Sequence, residues 1–210
     1  PGTTNTPADM VTDPALNNLP NPNPTVVTNW GLLPNGRVWG STAGADIGPD
    51  GHVWAYDRCG SGSAGGSGIN CDNNSVDPIV KYDHNTGELL ASFGAGLFVT
   101  PHGIHVDSDG NVYCSDEHDC RISVFDPEAT FPFPEGKPRK EAVSTWGVKG
   151  VDPGQLNGPS GLAFDAQDNL YVVDSRSNRV QLFTKDGQFV DGWGSSGAGE
   201  GELSRPWGIT

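Results

Sequence analysis

The chain has 210 residues, and its 12 Lys and Arg against 26 Asp and Glu give a formal net charge of -14. That field repels phosphate backbones and anionic lipid surfaces, which argues against nucleic acid as a partner, and no apolar run approaches the roughly 18 residues of a membrane-spanning helix. Thirty Gly and 17 Pro with a single Met favour short strands joined by tight turns over helices, so the composition reads as one all-β domain.

Residues 1–29 are rich in Thr, Asn and Pro without periodicity, and are expected to form an extended or disordered arm. From Trp30 the pattern changes. The run Pro101, His102, Gly103, Ile104, His105, Val106, Asp107 recurs as Pro159, Ser160, Gly161, Leu162, Ala163, Phe164, Asp165, and begins again as Pro206, Trp207, Gly208, Ile209, Thr210. A repeat of roughly 50 residues holds about four strands. The first unit supplies them at 45–48, 52–57, 78–83 and 88–94, the second at 103–107, 111–116, 121–126 and 142–147, and the third at 161–165, 169–174, 179–184 and 188–194. Turns such as Ser108, Asp109, Gly110 and Lys185, Asp186, Gly187 carry hairpin chemistry. Four-stranded antiparallel units repeated at this spacing predict β-propeller blades over 38–94, 101–147 and 159–194, with 206–210 opening a fourth, so that 30–210 holds about three and a half blades of a ring incomplete at its C-terminus. Apolar surface such as Val53, Ile79 and Leu182 is then expected on the open flanks unless other polypeptide covers it.

Four cysteines form two local pairs, Cys59 with Cys71 and Cys114 with Cys120. Both are expected as disulfides, which places the protein in an oxidising setting: secreted, extracellular or periplasmic. A metal cluster is the rival, although neither pair has the C-x₂-C spacing of zinc knuckles. Asn73 heads a glycan acceptor sequon. The acidic run Asp116, Glu117, His118, Asp119 reads either as an oxygen-ligand cation site or as an acidic turn. Asp57, Asp116 and Asp174 recur at strand ends as turn formers, and His105 reads as an inner-strand packing residue. No nucleophile elbow, phosphate loop or Cys–His nucleophile is present.

In an antiparallel blade the start of the first strand and the end of the second lie at one end of the sheet, so His102 and Arg58 are expected at one end of the central channel. His102 has two readings, a hydrogen-bonding partner of a neighbouring blade or a ligand. Arg58 also has two, a structural ion pair or a functional cation.

The repeats resemble NHL-repeat propellers. The stretch 30–116 is similar to the peptidyl-α-hydroxyglycine amidating lyase family and its bacterial relatives, on Leu33, Pro34, Asn35, Gly36, Arg37, Val38, Trp39, Gly40, Ser41, Thr42, on Asp57, Arg58, Cys59, Gly60, and on Phe93 through Phe98 followed by Pro101, His102, Gly103 and Ile104. The resemblance implies a six-bladed ring when complete. It also implies an axial zinc held by three histidines from different blades, an arginine and a tyrosine acting on the hydroxyglycine substrate, and a central calcium. By position His102 matches the first zinc ligand, Arg58 the catalytic arginine, and the Ile104 backbone a calcium ligand. Trp207 stands where the second zinc histidine is expected, and Asp174, Ser175, Arg176, Ser177, Asn178 lack the tyrosine. The reading is therefore a non-catalytic binding or assembly module with a protein or peptide partner, as one subunit of an extracellular assembly for example. The alternative is a zinc-dependent lyase-like enzyme with a rearranged site.

Overall fold

The computed structural model describes residues 29–60, 70–72, 74–126 and 142–210. Most of the expected arm and the sequon at Asn73 lie outside them. Three four-stranded antiparallel sheets follow one another. The first holds β1 (Thr42–Ile47), β2 (Val53–Asp57), β3 (Ile79–Tyr82) and β4 (Leu89–Phe93). The second holds β5 (Pro101–Val106), β6 (Val112–Asp116), β7 (Arg121–Phe125) and β8 (Ser144–Trp146). In the third are β9 (Pro159–Phe164), β10 (Asn169–Asp174), β11 (Arg179–Thr184) and β12 (Phe189–Trp193). A short parallel pair, β13 (Ser195–Ser196) and β14 (Glu202–Leu203), lies in the connection toward 206–210.

Local chemistry fixes the hairpins. Asp107 Oδ1 accepts from the N–H groups of Asp109 and Asn111, and Asp165 Oδ1 from those of Gln167 and Asn169, so each carboxylate closes the turn between the first and second strands of its blade. Asp57, Asp116 and Asp174 do more than form turns. Each is fully buried and anchors the chain entering its own blade. Asp57 accepts from Gly40 N at 2.7 Å, Asp116 from Val99 N at 2.7 Å and Thr100 N at 3.1 Å, and Asp174 from Asn157 N at 2.6 Å.

Neighbouring blades meet through two apolar layers. Trp54, Tyr56, Ile79 and Phe93 of the first blade pack on Ile104, Val112, Cys114 and Phe125 of the second. On the other face of the second blade, Tyr113, Cys120, Ile122 and Val124 pack with Leu156 against Leu162, Leu170, Val172 and Phe183 of the third.

This layering corrects one expected bridge. Cys59 and Cys71 are disulfide-bonded, but Cys114 and Cys120 are both free and buried. Cys114 faces the first blade and Cys120 the third, so their side chains lie on opposite faces of one sheet despite their closeness in sequence.

The expected open flank of the first blade is corrected as well. Ile79 is buried between blades, and the outer face, formed by Ala55, Val80 and Tyr82, is covered by Leu33 with Trp30, Trp39 and Leu89 packed around it. Tyr82 holds this cover by its hydroxyl, which donates to Leu32 O at 3.3 Å, and by ring contacts with Trp30 at 5.7 Å and Trp39 at 6.0 Å. The chain entering the propeller thus caps its first blade. Apolar side chains are exposed instead at the third blade, where Val190 and Trp193 are about half exposed.

Inner strands approach at the repeated glycines. A Cβ on Gly44 would lie 2.9 Å from His102 O, one on Gly103 2.0 Å from Ser160 O, and one on Gly161 2.9 Å from Trp207 O. The glycine is thus required by the next blade's backbone, and the residue before it falls in one slot per blade: Ala43, His102, Ser160 and Trp207.

Candidate functional site

The inner strands β1, β5 and β9 and residues 207–210 line a cavity of about 380 Å³ whose wall mixes the repeat glycines with apolar side chains such as Ile104 and Phe164, and includes His102 and Trp207. Ladder irregularities occur between Thr42 and Gly44, Pro101 and Ile104, and Val172 and Asp174. All three sit beside the slot, where a bulge re-aims a side chain. His102, 8% exposed, stacks on Trp207 with ring centroids 4.9 Å apart and a 35° tilt. Ser160 turns inward and its hydroxyl donates to Val173 O, while its carbonyl accepts from Ser115 Oγ at 2.8 Å.

Arg58 lies at the same end, as strand geometry required. Its Nε donates to Pro101 O at 2.8 Å, and its Nη2 stands 3.8 Å from Glu117 Oε2. Glu117 also accepts from Arg176 Nη2 at 2.9 Å. Burial and then the adjacent Arg58 lower the proton affinity of the His102 imidazole below its ordinary value, with Glu117 opposing them. His102 therefore presents a neutral ring to Trp207 at neutral pH.

Elsewhere, His105 Nδ1 meets Asp46 Oδ2 at 3.1 Å, and its ring lies 5.4 Å from Phe164, a satisfied inner-strand residue. The acidic run is a turn whose carboxylates are engaged. Asp116 holds backbone N–H groups, Glu117 two guanidiniums, and Asp119 the His118 ring and Arg121.

Zinc fits the described residues poorly. Among them no group of three His, Cys, Asp or Glu side chains is placed to hold a metal ion. His102 is flanked by a guanidinium and an indole rather than by further ligands, and a zinc centre needs about three protein donors. Ile104 lies on the channel wall and pairs with Cys114 in the ladder.

Sequence reasoning singled out His102 and Arg58 but missed the roles of Glu117 and Arg176. The signal was present: Arg58, Glu117 and Ser175 each follow the recurrent buried Asp, so consecutive blades project neighbouring side chains at one end of the channel.

Comparison with known proteins supports the propeller fold. Residues 156–183 match the NHL repeat. The chain is 29% identical over 140 residues to the peptidylglycine alpha-amidating monooxygenase of Rattus norvegicus, covering 62% of this chain and 13% of that protein. It is 22% identical over 173 residues to the probable peptidyl-alpha-hydroxyglycine alpha-amidating lyase pgal-1 of Caenorhabditis elegans, covering 76% of this chain and 46% of the relative. The chain thus spans less than half the length of either relative. Among solved structures, hydrazine synthase of Kuenenia stuttgartiensis superposes with a TM-score of 0.54 at 14% identity, over 88% of this chain and 42% of that one, which is a likeness of fold. Among the described residues no helix is long and apolar enough to cross a membrane.

Proposed function

We propose that this row of propeller blades, one of them carrying an NHL repeat, is a non-catalytic binding module that takes a protein or peptide segment at the channel end where His102 and Trp207 meet. The observation that carries the reading is the content of the slots. Ala43, His102, Ser160 and Trp207 supply one imidazole, one exposed indole face and no further metal donor, while Arg58 is engaged by Pro101 O and Glu117. An indole about half exposed beside this cavity offers the flat amphipathic contact that recurs in peptide recognition. The Cys59–Cys71 bridge supports a secreted or periplasmic setting, because such bridges persist in oxidising compartments.

A second reading rests on Arg58 and His102 lying together: a lyase of the amidating type whose remaining groups come from elsewhere. Selection of ligands from a displayed peptide library separates the two. The binding reading expects peptides whose affinity falls about tenfold or more on Trp207→Ala and is unchanged on Trp193→Ala, a tryptophan of similar exposure on the third blade. Turnover of a peptidyl-α-hydroxyglycine that requires both Arg58 and His102 would establish the enzyme instead.

A further inference from the structure

Arg58 and Glu117 directly follow the buried Asp of the first two blades, Arg176 stands one residue further on in the corresponding loop of the third, and the three alternate in charge across the end of the channel. Their side chains are 19%, 13% and 41% exposed. Glu117 gives one carboxylate oxygen to each guanidinium, Oε1 to Arg176 Nη2 at 2.9 Å and Oε2 toward Arg58 Nη2 at 3.8 Å. A bridging carboxylate is the arrangement an incoming anion would adopt between two guanidiniums, since each fork offers donors matched to a pair of oxygens. Backbone contacts hold both ends of the arrangement. Glu117 N donates to Thr100 O at 3.0 Å, Arg58 N to Ser41 O at 3.2 Å and Arg176 N to Asn157 O at 3.1 Å. The three side chains therefore meet because the blades place them there.

We propose that Glu117 is an internal ligand that fills an anion-binding position between Arg58 and Arg176, and that it sets the charge selectivity of the channel end. With Glu117 in place, carboxylates and phosphates are turned away, and the segment that enters beside Trp207 is uncharged or basic. The net charge of -14 acts in the same direction by drawing basic partners toward the surface. This inference rests on reading that end as the binding site, but its test does not need the partner.

Inorganic phosphate is the probe, titrated at constant ionic strength and followed by the side-chain NMR signals of Trp207 and His102. The natural chain should respond weakly. Glu117→Gln, which keeps shape and removes charge, should bind phosphate about tenfold or more tightly, and Glu117→Gln with Arg176→Ala should return to the natural level. Should the glutamine variant not fold, Glu117→Ser gives the same comparison. Equal phosphate binding by the natural chain and the folded charge-removed variant would overturn the proposal, as would tighter binding that survives Arg176→Ala. Neither result depends on whether library peptides bind, so failure of this inference is distinguishable from failure of the binding reading.

Discussion

Gly103→Ala is expected to destabilise the protein by about 3 kcal/mol, at the upper end of overpacking costs. The added methyl would lie 2.0 Å from Ser160 O, a backbone atom of the next blade, so no side-chain rotation relieves the clash. Either β5 withdraws from β9, which opens the layer around Leu162 and Val172, or the ladder at the slot distorts. Gly192→Ala is the control, because it lies within β12 but a Cβ there comes no nearer than 3.4 Å to any atom, an ordinary contact. Denaturant midpoints compare them: a large loss for Gly103→Ala beside a small one for Gly192→Ala is the result of inner strands touching backbone to backbone. Equal, small losses would mean that the blades do not approach as described.

Asp57→Ala is expected to cost about 3–5 kcal/mol, the range for breaking a buried ion pair from one side. Arg37, only 6% exposed at its side chain, donates to Asp57 Oδ2 at 2.5 Å and to Asp77 O at 2.6 Å. Without the carboxylate its charge is left buried with one carbonyl, and Gly40 N loses its acceptor. Both losses fall on the segment that covers Ala55, Val80 and Tyr82, so the cap around Trp30 and Trp39 should loosen along with the global loss. Asp174→Ala should cost less. Its partner Arg179 keeps the carbonyls of Val151, Asp152 and Gln155. Urea unfolding with tryptophan emission as the readout checks both, and a loss under about 1 kcal/mol for Asp57→Ala would show that Arg37 is solvated rather than sealed beneath the cap.

Much of the fold was legible because the repeat is written in residues with narrow physical roles. The glycines at 44, 103 and 161 are demanded by close approach, and Asp107 and Asp165 by their hairpins, so strand order followed from spacing alone. What escaped was information held between elements. Spacing put Cys114 near Cys120, but side-chain alternation along β6 and the turn after it sends them to different layers. The first blade's flank looked open because residues 30–39 carry no strand pattern, although Trp30, Leu33 and Trp39 are the size of side chain that seals a sheet face. Glu117 read as a member of an acidic run, since the arginines it joins lie on blades to either side and are brought to it only by the packing of those blades.

The site shows the same division. His102 and Arg58 were placed at one end of the channel from strand direction, and Trp207 was recognised as filling a slot where the family resemblance expects histidine. That Trp207 closes on the His102 ring, and that Arg58 is held by a carboxylate from the next blade, required the three-dimensional arrangement.

The central claim is that the His102 slot is closed by Trp207 rather than built for a metal. Proton–proton Overhauser contacts between the His102 ring and the Trp207 indole, recorded before and after addition of one equivalent of zinc, test it most directly. Ring centroids 4.9 Å apart predict strong contacts that zinc leaves unchanged, with no movement of the His102 ring signals. Loss of those contacts on zinc addition, with the metal retained through dialysis and released by His102→Ala, would contradict the account.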